Sequence, residues 1–486
     1  MLFNSLGFAV FLPLVFFLYW FAARKKKAQN FLLLVASYYF YSCWDYRFLF
    51  LLVFSTFLDY FTGIKMHEAK NARSKKTWLL ISVITNLAFL GFFKYYNFFA
   101  GNFAEFISWF GTKPDPWTLK IILPVGISFY TFHGLSYVID IYKNRITPVK
   151  NFIEYSVFVS FFPLLVAGPI ERATHLLPQI QKDRSFGYAH AVSGLKQIIW
   201  GLFKKIVIAD QCAEFANMIF NDASHYTGST LVLGALFFTF QIYCDFSGYS
   251  DIAIGTAKLF GIDLLRNFAF PYFSRDIAEF WRRWHISLSS WFRDYVYFPL
   301  GGSKDGEIKT VRNIFIIFLL SGFWHGANWT FIAWGALNAL YFLPLLLLKK
   351  NRDNLDIAAQ GKLFPSPREF AQIVTTFILV VFGWIFFRAE NLTAAWKYIR
   401  GIFTGIFHKQ GYLQSKEFIA HETGFILPLL ILLFIVMEWL GREEQFAIAK
   451  TGNKWPGAVR WTFYYGIIII TYLFAGNAQQ FIYFQF

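Results

Sequence analysis

The feature that most constrains this chain is a series of apolar runs, each close to the length needed to cross a bilayer. A spanning helix needs about 20 mostly apolar residues. The clear runs lie at 6–22, 78–97, 119–142, 229–246, 329–348, 369–387, 424–441 and 460–475. Less regular runs lie at 31–43 with 47–64, 152–168, 196–220 and 312–325. We therefore predict an all-α polytopic integral membrane protein with about eleven transmembrane helices.

Composition excludes the other broad classes of protein. Of the 486 residues, 56% are hydrophobic, 22% are aromatic and only 15% are charged. A soluble domain carries about 25% charged residues, and a disordered chain is poor in aromatic side chains. The three cysteines lie in or beside apolar runs and form no CxxC pair, so we expect neither a disulfide framework nor a metal site.

The excess of basic residues indicates how the chain is oriented in the membrane. The formal net charge is +16, and the basic residues fall in short clusters between apolar runs. These clusters lie at 24–27, 65–76, 143–150, 182–184 and 349–352. Because cytoplasmic loops are enriched in Lys and Arg, we predict that they face the cytoplasm. The expected partner of this charge is membrane lipid and not nucleic acid.

Several of the apolar runs are short or are broken by Gly and Pro. Non-helical backbone at membrane depth is tolerated only where protein or a water-filled cavity surrounds it. The broken runs therefore predict an internal cavity. We expect a single membrane-embedded domain over 1–486, with N-terminal helices over 1–118, a core over 119–350 and C-terminal helices over 368–486.

Residues 275–295 combine aromatic and basic side chains at helical spacing. Apolar residues recur there every three or four positions, with Arg282 and Arg283 among the residues between them. The pattern predicts an amphipathic helix at the cytoplasmic interface. Two interpretations stay open at this point, namely an anchor on acidic lipid and a functional segment that uses His285.

A second polar interruption lies at residues 321–330, around His325. Gly322 and Gly326 permit a bend and a close approach of the backbone. An ionisable residue at membrane depth is a functional candidate, and a neutral imidazole accepts a proton from a hydroxyl near pH 7. The alternative is a hydrogen-bonded core histidine, which is the interpretation that we favour for His133.

With these segments in view, the sequence resembles the membrane-bound O-acyltransferase (MBOAT) family. Within that family it is most similar to the alginate O-acetyltransferase type and more distantly to the D-alanyl transfer type. The matching stretches are PVGISFY (124–130), FPLLVAGPIER (162–172), DFSGYSD (245–251), FWRRWHISL (280–288), SGFWHG (321–326) and FIYFQF (481–486). They stand in the family's order, whereas the first hundred residues match only in hydropathy.

The resemblance implies a ring of tilted helices around a central tunnel, with amphipathic or re-entrant helices at the faces. It implies that His325 is the catalytic histidine of the family and that His285 is a second, more variable one. The implied reaction moves an acetyl group from a cytoplasmic thioester to a hydroxyl of an exported or cell-wall polysaccharide. Acetyl-CoA or an acyl-carrier thioester would be a substrate, so no bound cofactor is expected. The implied location is the bacterial inner membrane, with an SGNH-hydrolase-like partner in the periplasm.

Roles for further residues follow from that reaction as hypotheses. Arg282 and Arg283 would attract the phosphates of the donor. Trp281 and Trp284 would line the entrance for the donor, or anchor the segment at the interface. Asn328, or backbone N–H groups freed by the bend, would donate to the oxyanion of the tetrahedral intermediate.

Two hypotheses from other classes stay open from the sequence. A proton-coupled transporter or a flippase would use the same cavity, with a relay through some of the embedded carboxylates. A scaffold for an export complex would not need His325 at all. The embedded carboxylates are Asp59, Asp140, Asp245, Asp251 and Glu438.

Overall fold

The protein folds into helices throughout the part of the chain that the computed structural model describes. The described residues are 1–111, 115, 117–166, 168–226, 228–476 and 479–482, without the side chain of residue 410. No strand occurs among them, which confirms the all-α prediction. Residue 167 of the second matching stretch and residues 483–486 of the last one lie outside the described residues.

The described residues divide into two compact units. The first unit comprises Met1–Gly194 with Ala253–Leu265, and the second comprises Leu195–Ile252 with Arg266–Phe486. Helices Tyr188–Phe203 and Ser229–Leu259 contribute residues to both. The division into 1–118, 119–350 and 368–486 stays a prediction.

The first unit is built from helices that are interrupted by π-helical turns. The turns lie at Leu18–Ala22 and Gly91–Tyr95. The α-helices are Leu6–Phe17, Lys26–Ser42, Arg47–Glu68, Ala72–Leu90, Tyr96–Ser108, Ile127–Tyr142, Phe152–Ser160, Phe162–Leu165 and Ala173–Gln181.

Polar side chains inside the first unit are held by hydrogen bonds. Asp59, which is buried, accepts from the Ser82 hydroxyl at 2.6 Å and from the Asn86 amide at 2.8 Å. His133 is 1% exposed, and its Nε2 accepts from the backbone N–H of Glu171 at 3.0 Å. His133 is therefore a hydrogen-bonded core histidine, as we expected.

The second unit contains the remaining helices. Besides the two shared helices, it has π-helical turns at Lys204–Ala209, Arg293–Tyr297 and Ile419–Thr423. Its α-helices are Asp210–Asn221, Ile277–Arg283, Ile286–Phe292, Glu307–His325, Trp329–Leu347, Pro367–Arg388, Leu392–Gly405, Lys409–Phe418, Ile426–Leu440 and Gly457–Leu473.

Five helices within the described residues are long and apolar enough to cross a membrane. They are Arg47–Glu68, Ala72–Ser108 with its π-helical turn, Ser229–Leu259, Trp329–Leu347 and Pro367–Arg388. A sixth span results if Gly411–Thr423 and Ile426–Leu440, which meet at a bend of 92°, are taken together. The structure thus supports a multi-pass membrane protein. It does not confirm about eleven spans, because several apolar runs are divided into helices that are each too short.

Close packing of two helices positions the segment that carries His325. Helix Glu307–His325 lies against helix Trp329–Leu347, and glycines on both allow their backbones to meet. A Cβ atom added at Gly322 would lie 2.2 Å from the Phe331 carbonyl oxygen, and one added at Gly335 would lie 2.4 Å from the Phe318 carbonyl oxygen. Small residues at such contacts are what allow helices in membranes to approach closely.

We expect Gly335→Ala to destabilise the second unit. The added methyl group has to push against backbone of the facing helix, and overpacking of this kind costs about 1–3 kcal/mol. The matched control is Gly466→Ala, because no heavy atom lies within 4 Å of a Cβ at that helical position. Thermal unfolding of the detergent-solubilised protein measures both variants. Equal transition temperatures for the two would contradict the packing argument.

Candidate functional site

The segment that carries His285 is not the single helix predicted over 275–295, so that prediction is wrong. Two short helices, Ile277–Arg283 and Ile286–Phe292, replace it, and a π-helical turn follows. His285 stands between them with φ +42°, in the left-handed region of backbone conformation. Because of this break, the two short helices do not share one continuous helical axis.

The helix breaks because a neighbouring stretch of chain takes over its backbone hydrogen bonds. The N–H of Ala269 donates to the Arg283 carbonyl at 3.0 Å, and the N–H of Ile286 donates to the Asn267 carbonyl at 2.9 Å. Residues 267–269 thus satisfy the backbone on both sides of His285. Periodicity alone does not predict this, because the partner lies outside the periodic segment.

The first turn of the first helix is buried on every side. Ile277, Ala278, Glu279 and Phe280 are consecutive, and all four are buried. Four consecutive residues cover all sides of a helical turn. The single apolar stripe that we predicted is therefore wrong for this turn, whereas the position of the segment at the cytoplasmic interface stays a prediction.

The imidazole of His285 lies in an aromatic environment. It is 1% exposed, and its ring centre lies 4.6 Å from that of Phe246 and 6.0 Å from that of Trp324. Among the described residues, neither ring nitrogen has a hydrogen-bond partner. Burial lowers the pKa of His285 to about 3, so the imidazole is neutral at physiological pH.

His325 ends its helix beside the same tryptophan. It is 3% exposed, and its ring centre lies 4.9 Å from that of Trp324. The ring is also packed at 5.3 Å against Trp334 and at 5.2 Å against Phe387. The structure therefore brings the two predicted histidines to one indole, although 40 residues separate them in the chain.

A cavity of about 510 Å³ adjoins the His325 helix. Ser321, one turn before His325, contributes to its wall together with Trp281. The basic residues on the wall are Arg282, Arg293 and Arg352. The remaining wall residues are Ala278, Ser289, Phe292, Tyr297, Ile314, Ile317, Phe318, Phe342, Leu346, Asn351 and Leu355. The cavity thus combines an apolar wall with three guanidinium groups.

The two arginines singled out from the sequence have different surroundings. Arg282 lies on the cavity wall and donates to the backbone carbonyls of Asn351 and Asn354, at 2.8 and 2.7 Å. Arg283 does not line the cavity, and it pairs with the carboxylate of Glu279 at 2.8 Å. Sequence reasoning missed Arg293 and Arg352, whose common position on the wall depends on the folded chain.

A further arginine, Arg275, binds the loop that contains Asn351, Arg352 and Asn354. Arg275 donates to the Asp356 carboxylate at 2.8 Å and to Glu279 at 3.0 Å. The hydrogen bond from Arg275 lowers the pKa of the exposed Asp356 carboxyl below its usual value. The loop that carries Arg352 is thereby connected to the segment that carries Trp281.

The two tryptophans of this segment are also placed differently. Trp281 lines the cavity, and its indole N–H is buried without a hydrogen-bond partner among the described residues. Trp284 is 1% exposed and packs in an aromatic core, with its ring centre 4.9 Å from that of Trp384. Only Trp281 is thus available to a molecule in the cavity.

Asn328 caps the helix that follows His325. Its side-chain oxygen accepts from the N–H of Thr330 at 3.0 Å, and its amide donates to the Glu390 carbonyl at 2.7 Å. These hydrogen bonds connect the start of the helix that follows His325 to the backbone of Glu390. The amide carries a second N–H, so a role in stabilising an oxyanion stays a prediction.

The embedded carboxylates have fixed partners. Asp140 pairs with Arg145 at 3.0 Å, Asp251 with Lys204 at 2.6 Å and Asp245 with Lys205 at 2.8 Å. Glu438 accepts hydrogen bonds from Tyr243 and Trp200, at 2.6 and 3.1 Å. Throughout the described part of the chain, no group of three or more His, Cys, Asp or Glu side chains is placed to hold a metal ion.

Comparisons with known proteins agree with the resemblance seen in the sequence. The sequence model of the membrane-bound O-acyltransferase family matches residues 146–362, a range that includes His285 and His325. The chain is 40% identical to the probable alginate O-acetylase of Pseudomonas aeruginosa, over 84% of this chain and 75% of that protein.

Relatives with other acceptors are also similar to the chain. It is 34% identical to the peptidoglycan O-acetyltransferase of Helicobacter pylori, over 92% of this chain and 90% of that protein. It is 31% identical to the teichoic acid D-alanyltransferase of Bacillus subtilis, over 56% of this chain and 70% of that protein. The similarity thus extends to proteins named for different polymers.

Proposed function

Because the chain belongs to the membrane-bound O-acyltransferase family and is an O-acetyltransferase, we propose that it acetylates a polysaccharide outside the cytoplasm. The acetyl group would come from a cytoplasmic thioester and pass to a hydroxyl of an exported or cell-wall glycan. The relatives named for alginate and peptidoglycan support an acceptor of this class. We further propose that the protein lies in the bacterial inner membrane, with about eleven spans around a tunnel.

The observation that carries the proposal is that His325, which packs against Trp324, ends the helix whose Ser321 lines the cavity. The cavity wall reaches Ser321, one helical turn before His325. A donor held in this cavity would have its reactive end near the imidazole. The second imidazole, that of His285, has its ring centre 6.0 Å from that of the same residue, Trp324.

In the proposed reaction His325 acts as the general base. Neutral imidazole removes the proton from the acceptor hydroxyl while the oxygen attacks the thioester carbonyl carbon. The tetrahedral oxyanion collapses, the carbon–sulfur bond breaks, and the leaving thiolate takes the proton from the imidazolium. Asn328 or nearby backbone N–H groups would donate to the oxyanion. His285 would assist the proton transfer or hold the donor.

The cavity supports a charged donor such as acetyl-CoA or an acyl-carrier thioester. Guanidinium groups bind phosphate oxygens through paired, charge-assisted hydrogen bonds, and Arg293 and Arg352 are exposed at the cavity. Arg352 also belongs to the basic cluster 349–352, which the positive-inside rule places in the cytoplasm. The buried N–H of Trp281 offers a hydrogen bond to an amide carbonyl of the pantetheine arm.

Delivery to the polymer is the step for which a partner is proposed. The hydroxyl that attacks the acetyl group would belong to the glycan itself or to a serine of an SGNH-hydrolase-like protein in the periplasm. In either case the two substrates meet inside the membrane protein, so neither the charged donor nor the polar acceptor has to cross the bilayer.

We expect His325→Ala to lower acetyl transfer by about 10²- to 10⁴-fold, because the general base is lost. The measurement follows radiolabel from acetyl-CoA into polymer esters with purified protein in vesicles. Unchanged membrane insertion and thermal stability serve as the control. Wild-type ester formation in the variant would exclude the proposed base.

If the wild-type protein turns over no acetyl donor but moves a solute, the transporter hypothesis is favoured instead.

We expect His285→Ala to reduce transfer by the same factor or by a smaller one than His325→Ala. The reason is that His285 assists the proton transfer or holds the donor, whereas His325 is the proposed base. The same radiolabel assay gives the value. Full activity in this variant would show that the reaction uses only one of the two histidines.

We expect Arg293→Ala and Arg352→Ala each to raise the KM for acetyl-CoA by about tenfold with little change in kcat. The guanidinium groups would contribute to ground-state binding of phosphate, which affects KM alone. The control is Arg400→Ala, an exposed arginine that does not line the cavity. A KM for acetyl-CoA that stays at the wild-type value in both cavity variants would place the donor elsewhere.

A further inference from the structure

The backbone of His285 adopts a conformation that few residues with a side chain take. Its φ of +42° brings the Cβ atom close to the following carbonyl group, which is unfavourable for a residue with a side chain. Such conformations persist only where the surrounding structure imposes them, and they are frequent at functional sites.

Asn267 provides the contacts that impose this conformation. It is 0% exposed, and its backbone carbonyl accepts from the N–H of Ile286 at 2.9 Å. Its side-chain oxygen accepts from the Ser287 hydroxyl at 2.6 Å. Its side-chain amide donates to the Ser250 hydroxyl at 3.0 Å. Both residues that follow His285 are thus fastened to Asn267.

The same stretch of chain also contacts the imidazole. Phe268 follows Asn267, and its ring lies nearly parallel to that of His285, with ring centres 6.5 Å apart and planes at 30°. Phe246 meets the imidazole edge-on at 82°. A change of φ at His285 to the usual negative range would rotate the Cα–Cβ bond and carry the ring away from Phe268, Phe246 and Trp324.

We propose that Asn267 is a positioning residue of the acyl-transfer site, which holds His285 so that its imidazole faces Trp324. This inference rests on the proposed function, because it requires that His285 takes part in the reaction. Asn267 touches neither substrate nor reacting atoms in this assignment. It acts through the backbone and the ring of His285.

The central test is a double-mutant cycle between Asn267 and His285. We expect Asn267→Ala to lower kcat for acetyl transfer by about tenfold, with KM values for both substrates within about twofold of wild type. In the His285→Ala background, the same substitution should lower kcat by less than about twofold, since the group that Asn267 positions is already absent.

The matched control is Asn313→Ala. Asn313 is also 0% exposed in the second unit, and its amide donates to the carbonyls of Leu300 and Gly302 at 3.2 and 2.9 Å. Its loss removes similar buried hydrogen bonds at a distance in sequence from His285. Any effect of Asn313→Ala on kcat should therefore be the same factor with and without His285.

A conservative variant, Asn267→Asp, tests the positioning role by its kcat alone, so this test does not require that His285→Ala retains activity. Asn267→Asp retains an acceptor that both serine hydroxyls reach, and it should recover much of the kcat that Asn267→Ala loses. Thermal unfolding of each variant identifies those that fail to fold. If Asp restores no more activity than Ala, the positioning role is overturned.

The remaining outcomes separate this inference from the proposed function. Wild-type kcat in Asn267→Ala, or an equal loss with and without His285, would overturn the positioning role alone, provided that His285→Ala is impaired. Wild-type activity in His285→Ala would instead refute the proposed role of His285, and the inference would fail with it.

Discussion

The constraint on which the second unit depends is the need to satisfy each backbone N–H and C=O group where a helix breaks in apolar surroundings. Water is not available there to replace a lost hydrogen bond. The break at His285 is possible because residues 267–269 pass beside it and bond to the backbone on both sides. The geometry of the candidate site is therefore a consequence of backbone pairing as well as of side-chain chemistry.

Charged side chains also satisfy backbone groups of irregular segments. Part of the net charge of +16 therefore has a structural role. Arg282 and Arg442 donate to backbone carbonyls of the loop 351–362, at 2.5 to 2.9 Å. Lys205 donates to a backbone carbonyl near the end of the described chain, and Asp245 accepts from a backbone N–H there. Basic residues in this unit thus stabilise irregular backbone, besides the orienting role that we predict for the loop clusters.

The charged and the neutral side chains of the candidate site lie in different surroundings. The guanidinium groups of Arg293 and Arg352 lie at the cavity, whereas the two imidazoles are enclosed by aromatic rings. Burial favours the neutral form of the His285 imidazole, and the neutral form is the one that accepts a proton. In the proposed reaction, the charged part of the donor would stay at the basic residues and its neutral thioester would extend toward the histidines. Close contact of the helices at Gly322 and Gly335 holds this arrangement in place.

The sequence by itself determined the all-α membrane class, the basic clusters between the apolar runs and the selection of His285 and His325 as candidates, because hydropathy, charge and short motifs are local properties of a chain. Only the tertiary structure decided that residues 275–295 break at His285, that Trp281 faces a cavity while Trp284 does not, and that Arg293 joins Arg352. Each of these depends on a partner distant in sequence. Periodicity describes which residues share a face of an unbroken helix, but it contains no information about another segment that competes for the backbone hydrogen bonds of that helix.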